Sequence, residues 1–214
     1  MWERRSKTDI TLVSTQGNGE PVYEPNINVL ASGPMPDKHL MLDIETYDTE
    51  VTAVILSIAA VVFDPRGFLP FEEFNTTVNP DSQPIRTTSQ ATIEWWSQQD
   101  ELAAEATFGG AQLPLHLALV EFTQWLNKLR PTCTRIWAKS PDFDCLILSH
   151  ACKQQNIIWP FKFWETRCCR TIMELAYPLG DFPVVEVDGA LHDALVDAKK
   201  QVVEVQHAFH ILGI

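Results

Sequence analysis

Residues 39–46, His-Leu-Met-Leu-Asp-Ile-Glu-Thr, contain the pattern that decides the fold of this chain. The apolar run from Leu40 to Ile44 predicts a buried β-strand. Asp43 and Glu45 are two residues apart, so both carboxylates project from the same face of that strand. Two carboxylates beside a buried strand repel each other and lose hydration, which a fold tolerates when a cation lies between them. Their oxygen ligands indicate magnesium or manganese rather than zinc. The alternative is that the strand ends at Asp43 and both acids are solvated in a loop.

The composition fits one α/β domain with extra elements, because the chain has 214 residues and is 45% hydrophobic. The formal net charge of −12 argues against a passive nucleic-acid coat, which needs a broad basic surface. An enzyme that holds metal ions with carboxylates and contacts only a few phosphates remains compatible with this charge.

The five cysteines form no C-x-x-C pair, so the sequence does not predict a zinc site. Reduced thiols in the cytoplasm are expected. The polar N-terminus does not resemble a signal peptide, and the longest apolar run, residues 53–63, is too short to cross a bilayer. We therefore expect no membrane association.

The pattern of the remaining chain predicts a mixed β-sheet. Residues 1–37 are polar and contain four prolines, which predicts a flexible N-terminal tail before a single domain at residues 38–214. Strands are predicted, by apolar runs and alternation, at 39–45, 53–63, 71–78 and 134–138. Helices are predicted at 89–105, 114–129, 140–155, 165–177 and 192–212. The first three strands form an antiparallel meander, and the later helices cover both faces of an α/β sheet.

A second pair of acids, Asp142 and Asp144, lies where the strand at 134–138 leads into the next helix. A carboxylate in a first helical turn is favoured by the helix dipole and is held on a rigid element. On a helix the two side chains point about 200° apart, so only one of them faces the sheet. The pattern itself leaves open which one, and also allows both to be ordinary capping residues.

The third acidic segment is Leu191-His-Asp-Ala-Leu-Val-Asp-Ala198. His192 and Asp197 would lie roughly 140° apart on a continuous helix, so His192 must precede the helix if both face one site. This placement suits a base on a mobile edge with Asp197 fixed as a ligand. Asp193 is the rival ligand, because it lies four residues before Asp197, and it also suits the role of N-cap.

These segments together resemble the DnaQ-like 3′→5′ exonucleases of the DEDDh type, which have an RNase H-like fold, and in particular their short phage and prophage members. The matching motifs are Met41-Leu-Asp-Ile-Glu-Thr46, Ser57-Ile-Ala-Ala-Val61 with Phe63-Asp-Pro65, Trp137 to Leu148, and His192-Asp-Ala-Leu-Val-Asp197, with further likeness at Trp95-Trp96-Ser-Gln and Arg170-Thr-Ile-Met-Glu-Leu175. The resemblance covers residues 39 to about 210. The chain departs from many relatives at Lys139 and Pro141.

The resemblance implies the site residues and the reaction. It places the metal-binding acids at Asp43, Glu45, Asp144 and Asp197, and the general base at His192. It implies hydrolysis of phosphodiester bonds with two divalent cations, Mg²⁺ or Mn²⁺, and release of nucleoside 5′-monophosphates from a free 3′ end. DNA is the expected substrate. RNA with the same chemistry is the alternative, and a non-catalytic binding module is a further one.

Three other side chains are predicted to contact nucleic acid. Arg167 and Arg170 are placed to hold phosphates, although a solvated ion-paired surface fits them as well. Trp96, with its neighbour Trp95, is a candidate for stacking on a terminal base, although its helical phase also fits the core. The aromatic cluster at 159–164 is expected to serve packing or self-association, which leaves a homodimer open.

Overall fold

The computed structural model describes residues 10–15, 21–25, 38–67, 70–129, 132–179 and 192–214. The chain divides into two compact units, Met1–Pro36 and Asp37–Ile214. In the first unit, β1 (Ile10–Thr15) pairs with β2 (Pro21–Pro25) in an antiparallel two-stranded sheet. The sequence did not predict these strands, and the rest of the predicted flexible tail lies outside the described residues.

The second unit contains a mixed sheet whose described strands follow the order β6-β5-β4-β3-β7-β8. Its strands are β3 (Lys38–Thr46), β4 (Ile55–Phe63), β5 (Pro70–Asn79), β6 (Leu113–Pro114), β7 (Cys133–Ala138) and β8 (Thr166–Cys168). β3, β4 and β5 form the predicted antiparallel meander, whereas β7 runs parallel to β3 and β8 runs parallel to β7. The predicted α/β class with a mixed sheet is confirmed.

Helices cover both faces of this sheet, as predicted. They are α1 (Gln90–Trp96), α2 (Glu101–Phe108), α3 (Leu115–Leu129), α4 (Asp144–Gln154), α5 (Cys169–Ala176) and α6 (Ala194–Leu212). One core joins α3 and α4 to the even-numbered residues of β3, such as Leu40 and Leu42. The other core joins α5 and α6 to Met41 and to Trp137 of β7. Because side chains alternate along a strand, Asp43 and Glu45 share the α6 face with Met41.

Two predicted helices differ from the structure: one is divided into two helices, and the other begins later than predicted. The helix predicted at 89–105 is broken after Trp96, because Asp100 starts α2 by accepting a hydrogen bond from the Ala103 N–H at 2.8 Å. The helix predicted at 165–177 begins only at Cys169. The three residues before it pair with β7 as the edge strand β8, and this tertiary pairing overrides a helical pattern.

Among the described residues, no helix is both long enough and apolar enough to cross a membrane.

Candidate active site

The first two acids lie on the central strand, where β3 approaches its carboxyl end. Glu45 is opposite Ser57 of β4, and Asp43 is opposite Ala59. Small neighbours leave room above the sheet for α6 to cross. Gln201 of α6 donates a hydrogen bond from Nε2 to Asp43 Oδ1 at 2.7 Å. The strand therefore continues through both acids, and the alternative of a solvated loop is excluded.

The third acid is Asp144, the first residue of α4. Its side chain is buried, and its Oδ1 accepts a hydrogen bond from the backbone N–H of Ile44 at 3.2 Å. This contact fixes Asp144 beside the strand that carries Asp43 and Glu45. Asp142 is exposed in the turn before the helix, and Phe143 occupies the N-cap position without a side-chain cap. The structure therefore places Asp144, rather than Asp142, at the site, and helix α4 starts later than predicted.

In the segment 191–198, the structure distinguishes the roles of Asp193 and Asp197. Asp193 is the N-cap of α6, because its carboxylate accepts hydrogen bonds from the N–H groups of Leu195 at 2.9 Å and Val196 at 3.3 Å. Asp197 lies in the first helical turn and lines the same cleft as Asp43. His192 precedes the helix, as predicted. One ligand atom each from Glu45, His192 and Asp197 lie within 4.8 Å of one another.

His192 is held in an unusual backbone conformation against two tryptophans. Its φ is +64°, a left-handed value that is rare for a residue with a side chain. The Trp95 ring contacts the imidazole edge-on, with centroids 4.7 Å apart. The hydroxyl of Thr107 donates to the His192 carbonyl at 3.4 Å. Contacts from α1 and α2 therefore position the histidine from outside its own helix.

The prediction that Trp96 contacts nucleic acid is wrong in this structure. Trp96 is only 5% exposed, and its indole Nε1 donates to the carbonyl of Thr46 at 3.0 Å. Its ring packs with Phe108 in the core next to β4. No open ring face remains for a base, so the half-exposed Trp95 is the tryptophan of this pair that faces the site.

Burial and mutual repulsion strongly perturb the carboxyl groups. Burial raises the pKa of Asp43 well above its usual range, and the charges of Asp144 and Glu45 raise it further. Burial, followed by repulsion from Asp197 and Asp144, raises the pKa of Glu45 to about 9. Burial also raises the pKa of Asp144 to about 7, against the stabilising hydrogen bond from Ile44. Without a cation, this cluster therefore disfavours full ionisation.

The acids open into a cleft of about 510 Å³ whose walls also carry cations. Lys139 forms an ion pair with Glu204 at 3.2 Å, and Lys200 forms one with Asp197 at 3.5 Å. Neither lysine nor Gln201 was predicted as a site residue. Gln201 lies four residues after Asp197, so helical spacing alone would have placed it on the same face.

The two predicted arginines differ in their position. Arg170 lines the cleft and donates from Nη1 to the Ser140 hydroxyl at 2.6 Å. Arg167 is on the edge strand β8, and its Nη1 donates to the carbonyls of Trp164 and Thr166 at 2.8 Å each. Arg170 is therefore at the cleft itself, whereas Arg167 lies on the surface beside it.

A family model described as the 3′-5′ exoribonuclease Rv2179c-like domain matches residues 38–209. The chain belongs to this family. As a member of it, the chain is a 3′–5′ exonuclease and thus a hydrolase, which confirms the predicted enzyme class. No curated protein matches the chain at a significant level.

Similar solved structures have the same DEDDh-type, RNase H-like fold. The nuclease domain of 3′hExo, a DEDDh family member bound to rAMP, has a TM-score of 0.55 at 14% identity, over 84% of this chain and 94% of that one. Cell-death related nuclease 4 has a TM-score of 0.56 at 17% identity, over 82% of this chain and 64% of that one. The E. coli exonuclease I–ssDNA complex, in its zinc-bound form, has a TM-score of 0.63 at 12% identity, over 82% of this chain and 41% of that one. The chain thus spans less than two thirds of the last two proteins.

The donor set fits the divalent-metal dependence that is typical of this family. Asp43, Glu45, Asp144 and Asp197 supply carboxylate oxygens, which hard cations such as Mg²⁺ and Mn²⁺ prefer. Burial and repulsion from neighbouring carboxylates raise the pKa values of Asp43 and Glu45, and a bound cation would relieve that repulsion. The residues present therefore fit a site for divalent cations.

Proposed function

We propose that this protein removes nucleotides one at a time from the 3′ end of DNA, using two divalent cations, Mg²⁺ or Mn²⁺. The convergence of five side chains from three separate parts of the chain on one cleft carries this proposal. These side chains are Asp43, Glu45, Asp144, His192 and Asp197. Asp43 and Glu45 are on the central strand β3, Asp144 is at the N-terminus of α4, and His192 and Asp197 are at the start of α6. Such a site is pre-organised before a substrate arrives.

Each group in the cleft has a chemical role in this proposal. The four carboxylates would hold the cations, which when bound supply Lewis-acid stabilisation of the charge that develops on the phosphodiester oxygens. His192 lies at the rim, close to Glu45 and Asp197, and would take the proton of the attacking water as a general base. Trp95 and the Thr107 contact orient His192 for this step. Arg170 would contact a phosphate of the substrate.

DNA is the first candidate substrate, and RNA is the second. The resemblance to short phage and prophage exodeoxyribonucleases supports DNA, as does the likeness to exonuclease I, which was solved with single-stranded DNA. The description of the matching family favours RNA. Recognition of an RNA end depends on a contact to the 2′-hydroxyl, so a direct comparison of sugars decides between them.

Five cysteines without a disulfide support a reducing, cytoplasmic location. Sedimentation tests the homodimer that the sequence analysis left open.

The test is a nuclease assay on 3′- and 5′-labelled single-stranded DNA and RNA of one sequence, with Mg²⁺, Mn²⁺ or EDTA. We expect stepwise shortening from the 3′ end and no reaction in EDTA. His192→Asn should lower kcat about 100- to 10,000-fold, because it removes a general base. His116→Asn is the matched control, since His116 is an exposed residue of α3 on the other side of the sheet, and it should retain full activity. Inactivity of folded wild-type protein on every substrate with both metals would overturn the proposal in favour of a binding module.

A further inference from the structure

The aromatic segment after α4 is divided between the core and the surface. Trp159 stacks on Phe122 with centroids 6.4 Å apart, and Phe161 is buried beside it. Phe163 and Trp164, by contrast, are 86% and 56% exposed. Their rings contact each other edge-on, with centroids 4.8 Å apart. Packing therefore explains the first two aromatic residues but not the second two.

Two cationic side chains lie close to Trp164, one over its ring and one at its backbone carbonyl. Lys162 Nζ lies 5.1 Å from the centroid of the Trp164 ring, and Arg167 donates to the Trp164 carbonyl at 2.8 Å. Burial, and then repulsion from Arg135, lowers the pKa of Arg167, which places a further cation nearby. The carboxylate of Glu165 is turned back to accept a hydrogen bond from the Lys162 N–H at 2.8 Å. We call Lys162, Phe163, Trp164 and Arg167 the aromatic–basic strip.

The strip is unusual for its charge in this protein. Residues 160–170 contain three cations and one carboxylate, giving a net charge of +2, whereas the whole chain carries −12. A basic surface with exposed aromatic rings has the chemistry that binds single-stranded nucleic acid, in which phosphates meet cations and bases stack on rings. A solvated ion-paired face would instead carry acids in similar number.

The strip also runs toward the cleft. Arg167 pairs in register with Trp137 of β7, which in turn pairs with Met41, two residues before Asp43. Two strand spacings of about 4.8 Å place Arg167 roughly 10 Å from the central strand. Arg170, the second residue of α5, lines the cleft itself. Only β7 therefore separates the strand that carries Arg167 from the strand that carries Asp43, and about one to two nucleotides can span roughly 10 Å.

We propose that the aromatic–basic strip binds the single strand that leads into the active site, with Lys162 and Arg167 on its phosphates and Trp164 stacked against a base. This proposal rests on the proposed function, because it assigns the path of the same substrate. The strip provides a basic surface on an otherwise acidic protein. The protein should therefore bind a long single strand more tightly than it binds the terminal nucleotide alone.

The test measures binding of a fluorescently labelled 20-nucleotide strand that resists hydrolysis through phosphorothioate linkages, in Mg²⁺, by anisotropy. We expect Trp164→Ala to raise Kd about tenfold, since it removes a stacking platform. Lys162→Ala should lower the slope of log Kd against log salt by about 0.7, the value for one phosphate contact on a single strand. Leu117→Ala and Lys128→Ala are matched controls on α3, which covers the other face of the sheet, and should change neither quantity.

Three results separate the possible failures. A Kd that stays within twofold of wild type in both strip variants would overturn the strip, whatever the nuclease assay shows. Strand binding that depends on Trp164 in a protein that hydrolyses nothing would retain the strip and overturn the proposed function. If Trp164→Ala instead converts a dimer to a monomer in sedimentation without changing Kd, the surface binds a second copy of this chain and the strip proposal is wrong.

A second inference concerns Gln201, whose side chain is 3% exposed at the base of the cleft. Its Nε2 donates to Asp43 Oδ1 at 2.7 Å, while its Oε1 is buried and has no hydrogen-bond partner among the described residues. Turning the amide over would direct Oε1 at a carboxylate, and two acceptors repel. In the observed orientation, Gln201 Oε1 has no hydrogen-bond partner among the described residues, and Gln201 Nε2 donates to Asp43.

We infer that Gln201 is a positioning residue that occupies one oxygen of Asp43 and leaves the other oxygen directed into the cleft. This inference also rests on the proposed function. Partners that orient metal ligands typically contribute 10- to 100-fold in affinity. Gln201→Met keeps the volume but removes the hydrogen bond, so the Kd for Mn²⁺, measured by EPR of the free ion, should rise about 10- to 100-fold.

Gln206→Met is the control, because Gln206 lies on the same helix and donates at 2.9 Å to the backbone carbonyl of Asp64, away from the site. Gln201→Asn, whose shorter amide cannot reach Asp43, tests the same point in a polar side chain if the methionine variant fails to fold. An unchanged Mn²⁺ Kd in either folded Gln201 variant would overturn the positioning role. Absence of Mn²⁺ binding in the wild type would overturn both this role and the proposed function.

Discussion

Replacing Asp43 with asparagine should abolish the nuclease reaction and at the same time stabilise the metal-free protein. The activity should fall about 1,000-fold or more, because a lost cation ligand removes several kcal/mol of transition-state stabilisation and each 1.36 kcal/mol is a factor of ten. The stability should rise, because Asp43 is buried beside Asp144 and Glu45 and these charges raise its pKa. Asparagine carries no charge and still accepts the hydrogen bond from Gln201.

The expected gain is on the order of 1–2 kcal/mol, the usual size of a stabilising substitution at a functional site that is strained in the folded state. For a domain of this size, that raises Tm in EDTA by about 2–8 °C. The measurement is a thermal melt of Asp43→Asn and wild type at pH 8, together with kcat in Mg²⁺. Asp142→Asn is the matched control, because Asp142 is exposed and lies two residues from Asp144. A lower Tm for Asp43→Asn in EDTA would show that the cluster does not strain the folded state.

The acidic positions on β3 were the most predictable part of the site, because charged residues in a buried strand cost stability and are retained for function. Asp43 and Glu45 break the apolar pattern of β3 on the face that α6 covers, and such a violation indicates a functional site. Periodicity also predicted that His192 precedes its helix, and the geometry agrees. The choice of Asp144 over Asp142 came from the family resemblance, and the contact with Ile44 explains it physically.

Features that depend on tertiary contacts could not be obtained from the sequence. The residues of β8 have a helical pattern, but their pairing with β7 makes them a strand. The helical phase of Trp96 allowed either a place in the core or a contact with nucleic acid, and its burial and its hydrogen bond to the Thr46 carbonyl, both tertiary features, place it in the core. The hydrogen bond between Gln201 and Asp43 joins residues that are 158 positions apart, so helical spacing could place Gln201 on the face of Asp197 but could not identify Asp43 as its partner.

Divalent cations should stabilise the protein, and the stabilisation should grow as the pH rises. In the folded, metal-free protein the pKa of Asp144 is raised to about 7 and that of Glu45 to about 9. A carboxyl group whose pKa is raised by folding favours the folded state fully below its unfolded pKa, near 4. That contribution is lost progressively as the pH rises toward the folded value. The Tm in EDTA should therefore fall between about pH 5 and pH 9.

A saturating cation binds the ionised carboxylates, so it opposes this loss. At a Mg²⁺ or Mn²⁺ concentration of 100 times Kd, binding adds about 2.7 kcal/mol, which corresponds to an increase in Tm of about 5–11 °C. Melts in EDTA and in each metal at pH 6, 7.5 and 9 measure the increment. It should be smallest at pH 6, where protons compete with the cation for the carboxylates.

The control for this pH dependence must account for the overall charge, because a protein of net charge −12 also loses stability through general repulsion as the pH rises. Glu45→Gln removes the carboxyl group whose pKa is about 9 and leaves every other charged residue of the protein in place. The Tm of this variant in EDTA should fall less steeply than that of wild type between pH 7.5 and pH 9. Its metal increment should also be smaller at pH 9. Equal slopes in the two proteins would assign the pH dependence to the general charge and leave the carboxylate cluster without a measurable cost to folding.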